Sequence, residues 1–132
     1  MKLNINQDLC SGCRLCENTC AFYHKGLTSP NYSRITICHI GKWALPNITV
    51  CLHCKEPECV DACPTGAMYK DLNTETILVK EDLCIGCGLC VDACKFEAVI
   101  IHPETQVAFK CDTCNGNFSC SQKCDAKAIY LV

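Results

Sequence analysis

The chain has 132 residues and a formal net charge of −2, a length that suits one compact domain rather than two ordinary ones. Seventeen residues are cysteine; without them the apolar share drops from 49% to about 36%, so the hydrophobic core is thin and needs disulfides or metal. Lys and Arg are scattered rather than clustered, which argues against a nucleic-acid surface, and no apolar run is long enough to span a membrane.

The N-terminal stretch MKLNINQDLC carries no apolar signal core and no twin-Arg pair. Disulfides need an oxidising compartment, so this reading places the chain in the cytoplasm and makes its thiols metal ligands.

In chain order, residues 2–6 alternate and predict a strand. The first cysteine group follows: Cys10, Cys13, Cys16 and Cys20. A polar loop at 26–33, containing Pro30, leads to a β-rich stretch at 34–38. The second group is Cys51, Cys54, Cys59 and Cys63, running into a helical patch at 58–63. Residues 68–70 and 76–80 flank a polar turn and predict a hairpin. The third group is Cys84, Cys87, Cys90 and Cys94, with a helical patch at 89–94. Residues 99–102 and 106–110 flank Pro103-Glu104-Thr105 as a second hairpin. The fourth group, Cys111, Cys114, Cys120 and Cys124, precedes a final strand at 128–132. The helices are expected to be about two turns long, marginal without metal.

This is an internal repeat. Groups one and three share the spacing C-x2-C-x2-C-x3-C; group two is x2, x4, x3 and group four x2, x5, x3. Three closely spaced cysteines in an irregular loop converge on three corners of one iron–sulfur cubane, and the fourth, on the following helix, serves the other cluster of a pair. Glycines within the loops let backbone N–H groups approach the sulfurs. Zinc sites prefer two separated cysteine pairs, and disulfides between cysteines three apart are strained. A metallothionein-like buffer would lack the hairpins and aromatics. The spacing therefore points to [4Fe–4S] clusters.

The second group, read as Cys51-Leu-His-Cys54-Lys-Glu-Pro57-Glu-Cys59-Val-Asp-Ala-Cys63-Pro64-Thr-Gly66-Ala67, and the unequal spacings of groups two and four carry a family resemblance. The chain resembles the four-cluster ferredoxin-type subunits of modular oxidoreductases. These are partners of molybdenum or tungsten pterin enzymes (aldehyde oxidoreductase, formate dehydrogenase and DMSO reductase types) and of some hydrogenases. The resemblance implies an α+β fold of two fused bacterial-ferredoxin-like modules around four iron–sulfur clusters. Residues 1–132 then form a single polyferredoxin domain. Its outer module comes from the groups at 10–20 and 111–124, its inner module from those at 51–63 and 84–94. The implied ligand sets are Cys10, Cys13, Cys16 and Cys124 for one cluster; Cys111, Cys114, Cys120 and Cys20 for a second; Cys51, Cys54, Cys59 and Cys94 for a third; and Cys84, Cys87, Cys90 and Cys63 for a fourth. Pairing the outer groups also implies that the first and last strands meet. Only Cys63 is followed by proline, a departure that touches turn shape rather than ligation. All sixteen positions are cysteine, which argues against a [3Fe–4S] site.

The resemblance further implies an electron-transfer subunit with no catalytic site of its own. It would relay single electrons between a catalytic partner, foremost a tungsten or molybdenum pterin enzyme such as an aldehyde oxidoreductase, and a soluble ferredoxin or further redox subunit. A hydrogenase subunit and a free polyferredoxin shuttle are the alternatives. The residues agree: there is no nucleotide fingerprint, flavin motif, activated nucleophile or carboxylate pair. Outside the groups, Cys38 reads as a small buried apolar side chain and His53 as a partly exposed loop residue. His24, His39 and His102 read as loop histidines, and Lys95 as a surface lysine. Trp43 reads either as a partner contact or as a cap on the thin core, as do Tyr23, Tyr32 and Phe118.

Overall fold

The computed structural model describes residues 2–132. The elements are short: β1 (Leu3–Ile5), α1 (Leu15–Lys25), β2 (Thr36–Ile40), β3 (Leu45–Thr49), α2 (Glu58–Ala62), β4 (Met68–Asp71), β5 (Thr76–Val79), α3 (Leu89–Ala93), β6 (Ile100–Ile101), β7 (Ala108–Phe109), α4 (Ser119–Lys123) and β8 (Ile129–Leu131). Among the described residues the strands form four two-stranded antiparallel sheets, β1–β8, β2–β3, β4–β5 and β6–β7. No described helix is long and apolar enough to cross a membrane. The chain divides into two compact units, one of residues 2–52 with Thr113–Val132 and one of His53–Asp112.

In the first unit the two terminal strands pair, as expected. Leu3 lies opposite Leu131 and Ile5 opposite Ile129, and Lys2 and Val132 exchange both backbone hydrogen bonds at 3.0 and 2.9 Å. Leu3, Ala128 and Ile129 are buried there. Helix α1 runs through Cys20 and continues to Lys25, longer than the two turns expected. It stops where Gly26 takes a left-handed conformation and returns its N–H to the Phe22 carbonyl at 2.8 Å. His24 and Lys25 place basic groups in that last turn, beside the negative end of the helix dipole.

The hairpin β2–β3 fills the long stretch between cysteine groups. Its inward pair is Ile37 and Ile48, directly opposite one another and both buried. Strand β3 lies outside the expected elements, because Pro46 and Asn47 are poor strand residues. Its partner β2 overturns the reading of Cys38. Successive strand residues face opposite sides, so burying Ile37 turns Cys38 outward, and the thiol is exposed. Trp43, at the turn of the hairpin, is 77% exposed and caps no core.

In the second unit β4–β5 and β6–β7 supply the core with α2 and α3. Met68, Ile77, Cys90, Val99 and Ala108 are buried together, with Val60, Val79, Val91 and Ile101 packed around them. Full burial of a Met or Ile contributes about 1.5–3 kcal/mol each, so few such residues must be helped by the cysteine loops. Both hairpins fall where the stretches flanking the polar turns placed them, although β6 and β7 hold only two residues each. His53 corrects another expectation. It is 5% exposed rather than part of an open loop, and His102 is likewise buried.

Candidate metal centres

Each cysteine group enters a short helix at its third member: Cys16 on α1, Cys59 on α2, Cys90 on α3 and Cys120 on α4. The fourth member is the C-cap in three groups. Cys63, Cys94 and Cys124 end the five-residue helices α2, α3 and α4 in extended conformation. The backbone turns there, and the side chain leaves its own loop.

Two sets of four cysteines each line one cavity. In the first unit Cys10, Cys13, Cys16 and Cys124 line one cavity, walled by Ile37 and Ile48 of the β2–β3 hairpin and by Ile129 of β8. In the second unit Cys63, Cys84, Cys87 and Cys90 line another, walled by Met68, Val79, Ile101 and Ala108. In both, three cysteines come from one loop and the fourth from the end of a helix distant in sequence. Of the other eight, Cys20, Cys114 and Cys120 lie in the first unit, where α1 packs on α4 and Tyr23 Oη donates to the Cys114 carbonyl at 3.0 Å. Cys54, Cys59 and Cys94 lie in the second, where α2 packs on α3. Cys51 and Cys111 are buried.

The donor set suits iron–sulfur clusters. None of the seventeen cysteines is in a disulfide. Several sulfurs already receive backbone N–H groups: Cys20 from Arg34 at 3.2 Å, Cys84 from Ala108 at 3.3 Å, Cys94 from Ala98 at 3.4 Å and Cys63 from Met68 at 3.5 Å. Such bonds favour the thiolate, the form that binds metal. At Cys63, burial opposes ionisation, but the Met68 N–H, the Thr65 hydroxyl and N–H and the Ala67 N–H together outweigh it and lower the thiol to about 7. At Cys20, burial again works against ionisation, and His24, the Arg34 N–H and Ser33 prevail, so the thiol is lowered. Cys16 and Cys90 go the other way. Burial is the main cause in both, pushing Cys16 up to about 12 and raising Cys90. Crowding by neighbouring cysteines adds to it, because like charges converge there.

Gly86 shows why one loop residue has no alternative. It has φ +69, and a Cβ there would collide with the Gln106 carbonyl. The Cys84–Cys90 loop is thus pressed against the β6–β7 connection.

Residues 44–132 match the 4Fe-4S dicluster domain, and residues 7–23 match a 4Fe-4S binding domain. The protein belongs to the 4Fe-4S dicluster domain family. This family membership and the cysteine-lined cavities make it a binder of several [4Fe–4S] clusters. Among curated relatives, it is 41% identical over 123 residues to the polyferredoxin-like subunit of aliphatic sulfonate oxidoreductase from Pyrococcus furiosus, covering 91% of this chain and 69% of the relative. It is 33% identical to a subunit of the sulfite dehydrogenase of Allochromatium vinosum, covering 86% of this chain and 55% of the relative. It is 32% identical to a chain of the anaerobic dimethyl sulfoxide reductase of Haemophilus influenzae, covering 89% and 63%. The protein thus spans between 55% and 69% of these relatives' lengths. In three dimensions it is similar to a chain of the active site complex BamBC of benzoyl coenzyme A reductase, with a TM-score of 0.55 over 98% of this chain and 78% of that one, at 20% identity. That likeness is one of fold.

Sequence reasoning did not single out Glu17, Lys110 or Gln7. Glu17 and Lys110 are the two buried members of the Asp, Glu, Lys and Arg set among the described residues. The Gln7 side chain pairs with both backbone groups of Ile48, at 2.9 and 2.7 Å, and so fastens β3 beside the first cysteine group. Position alone carried no signal for any of them, since polar and charged residues are normally solvated.

Proposed function

We infer that the chain is an electron-transfer subunit carrying four [4Fe–4S] clusters for a catalytic oxidoreductase partner. The observation that carries this reading is that Cys124 lines one cavity with Cys10, Cys13 and Cys16, while Cys63 lines another with Cys84, Cys87 and Cys90. These are the first and fourth ligand sets. By the same crossing rule the other two sets are Cys20 with Cys111, Cys114 and Cys120, and Cys94 with Cys51, Cys54 and Cys59. The two units are read as the outer and inner modules of two fused ferredoxin-like modules.

Each [4Fe–4S] cluster, when bound, exchanges one electron without bond making or breaking. The chain's own residues do the rest. The sixteen thiolates hold the iron. Backbone N–H groups of Arg34, Met68, Ala98 and Ala108 point at sulfurs and favour added negative charge there. Ile37 and Ile48 line one of the cavities with apolar surface, and Met68 and Val79 the other. The chain supplies no catalytic site of its own in this reading, and the names of the relatives favour a catalytic partner subunit. A molybdenum or tungsten pterin enzyme in the cytoplasm is our preferred partner, with a soluble ferredoxin or further redox subunit as the other contact.

Elemental analysis of the complex purified anaerobically from its native source tests this. About sixteen irons per copy, with molybdenum or tungsten, is the expected result. Iron with nickel points instead to a hydrogenase. Migration as a lone 14.6 kDa chain points to a free shuttle and overturns the subunit reading.

A further inference from the structure

Glu17 directly follows Cys16, and its side chain is only 4% exposed. The equivalent positions after the third cysteine of the other groups are Val60, Val91 and Ser121. Group one alone therefore carries an acid there. Its carboxylate is fully engaged: Oε1 accepts the backbone N–H of Ile37, and both oxygens accept from Arg14 Nη1, at 3.2 and 3.1 Å. Ile37 and Arg14 both line the cavity formed by Cys10, Cys13, Cys16 and Cys124. The acid is thus held by two residues that line that cavity, tied to strand β2 on one side and to the cysteine loop on the other.

The two members of the ion pair differ in exposure. Arg14 has 44% of its side chain accessible against 4% for Glu17. Water screens the guanidinium, whereas the buried carboxylate is screened far less. Glu17 is the next residue along the chain from Cys16, and both of its partners line the cavity, so its charge is held beside that site. A negative charge held beside the site opposes arrival of a further electron.

We propose that Glu17 sets the potential of the cluster in the Cys10–Cys13–Cys16–Cys124 cavity, holding it low, and that Arg14 moderates that effect. The proposal rests on the ligand reading above. It separates electrostatics from architecture, because the two residues act with opposite sign although both lie on the same loop and helix.

The test is an anaerobic potentiometric titration of the holo-protein followed by EPR, comparing wild type with E17Q, E17D and R14Q. The expected result is that E17Q raises one midpoint while the other three stay, R14Q lowers that same midpoint, and E17D keeps it near wild type. Shifts of equal sign in E17Q and R14Q, or no shift in either, overturn the proposal. If E17Q loses iron, R14Q decides alone: a downward shift supports the proposal, and an unmoved midpoint overturns it. The ligand reading is checked separately with C124S. Loss of the midpoint that E17Q and R14Q move supports that reading. Its retention, with a different midpoint lost, overturns the ligand reading and with it the assignment of Glu17 to this cluster.

Discussion

His53 Nδ1 accepts the backbone N–H of Ile77 at 3.0 Å. The carbonyl of the same Ile77 receives Lys110 Nζ, which also donates to the Cys111 carbonyl at 2.7 Å. Two buried polar side chains thus satisfy both backbone groups of one buried residue on the outer edge of β5. A two-stranded sheet leaves its edges unpaired, and a buried edge group without a partner costs about 1–3 kcal/mol. His53→Ala and Lys110→Met are each expected to destabilise the holo-protein by about that amount. Because both act on Ile77, the double variant should depart from the sum of the singles. Thermal unfolding of the four proteins under argon measures this; strict additivity would separate the two contacts.

Gly86→Ala should be far more damaging than its size suggests. It adds a Cβ at φ +69, against the Gln106 carbonyl. The backbone strain alone is about 1–3 kcal/mol, before the collision is relieved. Since Cys84 and Cys87 flank the position, the expected outcome is loss of close to four of the irons, read by iron determination and EPR. Gly66→Ala, at φ +72 in open space, is the comparison and should retain full iron.

Cys38 is expected to be the one thiol of the iron-loaded protein that a maleimide labels within minutes. It is exposed, and its Sγ reaches only the Asn47 carbonyl at 3.7 Å and the Asn47 side chain at 4.0 Å. Mass spectrometry should find a single adduct, absent from Cys38→Ser, with iron content unchanged in that variant. Two or more adducts at full iron content would show that one of the sixteen proposed ligands is not ligated.

Chelating the iron should unfold the chain. Helices α2, α3 and α4 have five residues each, well below the length at which an isolated helix is stable in water. Their third cysteines and their C-caps are proposed ligands, so ligation and helix formation are one event. The far-UV circular dichroism should collapse on anaerobic treatment with a strong chelator and return with iron and sulfide. An unchanged spectrum would show that the β hairpins and apolar core suffice.

Much of this is legible in the sequence because it depends on local pattern. The four cysteine groups follow from spacing, the hairpins around 68–80 and 99–110 from apolar stretches flanking polar turns, and the first strand from its alternation. What is not legible depends on what lies opposite. Strand β3 is concealed by Pro46 and Asn47, and only its pairing with β2 reveals it. The exposure of Cys38 follows from Ile37 taking the inner face. His53 and Lys110 look like surface residues until Ile77 supplies their partners, and Glu17 looks like a helix-surface acid until Ile37 and Arg14 do. Polar residues are buried for reasons that reside in the partner, and the partner is often far away in sequence.

The split of the first unit has a consequence for biogenesis. The proposed ligands Cys63, Cys84, Cys87 and Cys90, which line one cavity, all lie in the uninterrupted unit His53–Asp112, which is complete before Thr113–Val132 is made. The cavity of Cys10, Cys13 and Cys16 waits for Cys124, and β1 for β8. On a ribosome that extends the polypeptide from its N-terminal side, the middle of the protein can take up its metal while residues 2–52 are still an open coil. On the proposed ligand sets, a chain truncated at Asp112 should therefore still load the cluster of Cys84, and the cysteines of the first group, although synthesised before those of the third, should be filled after them.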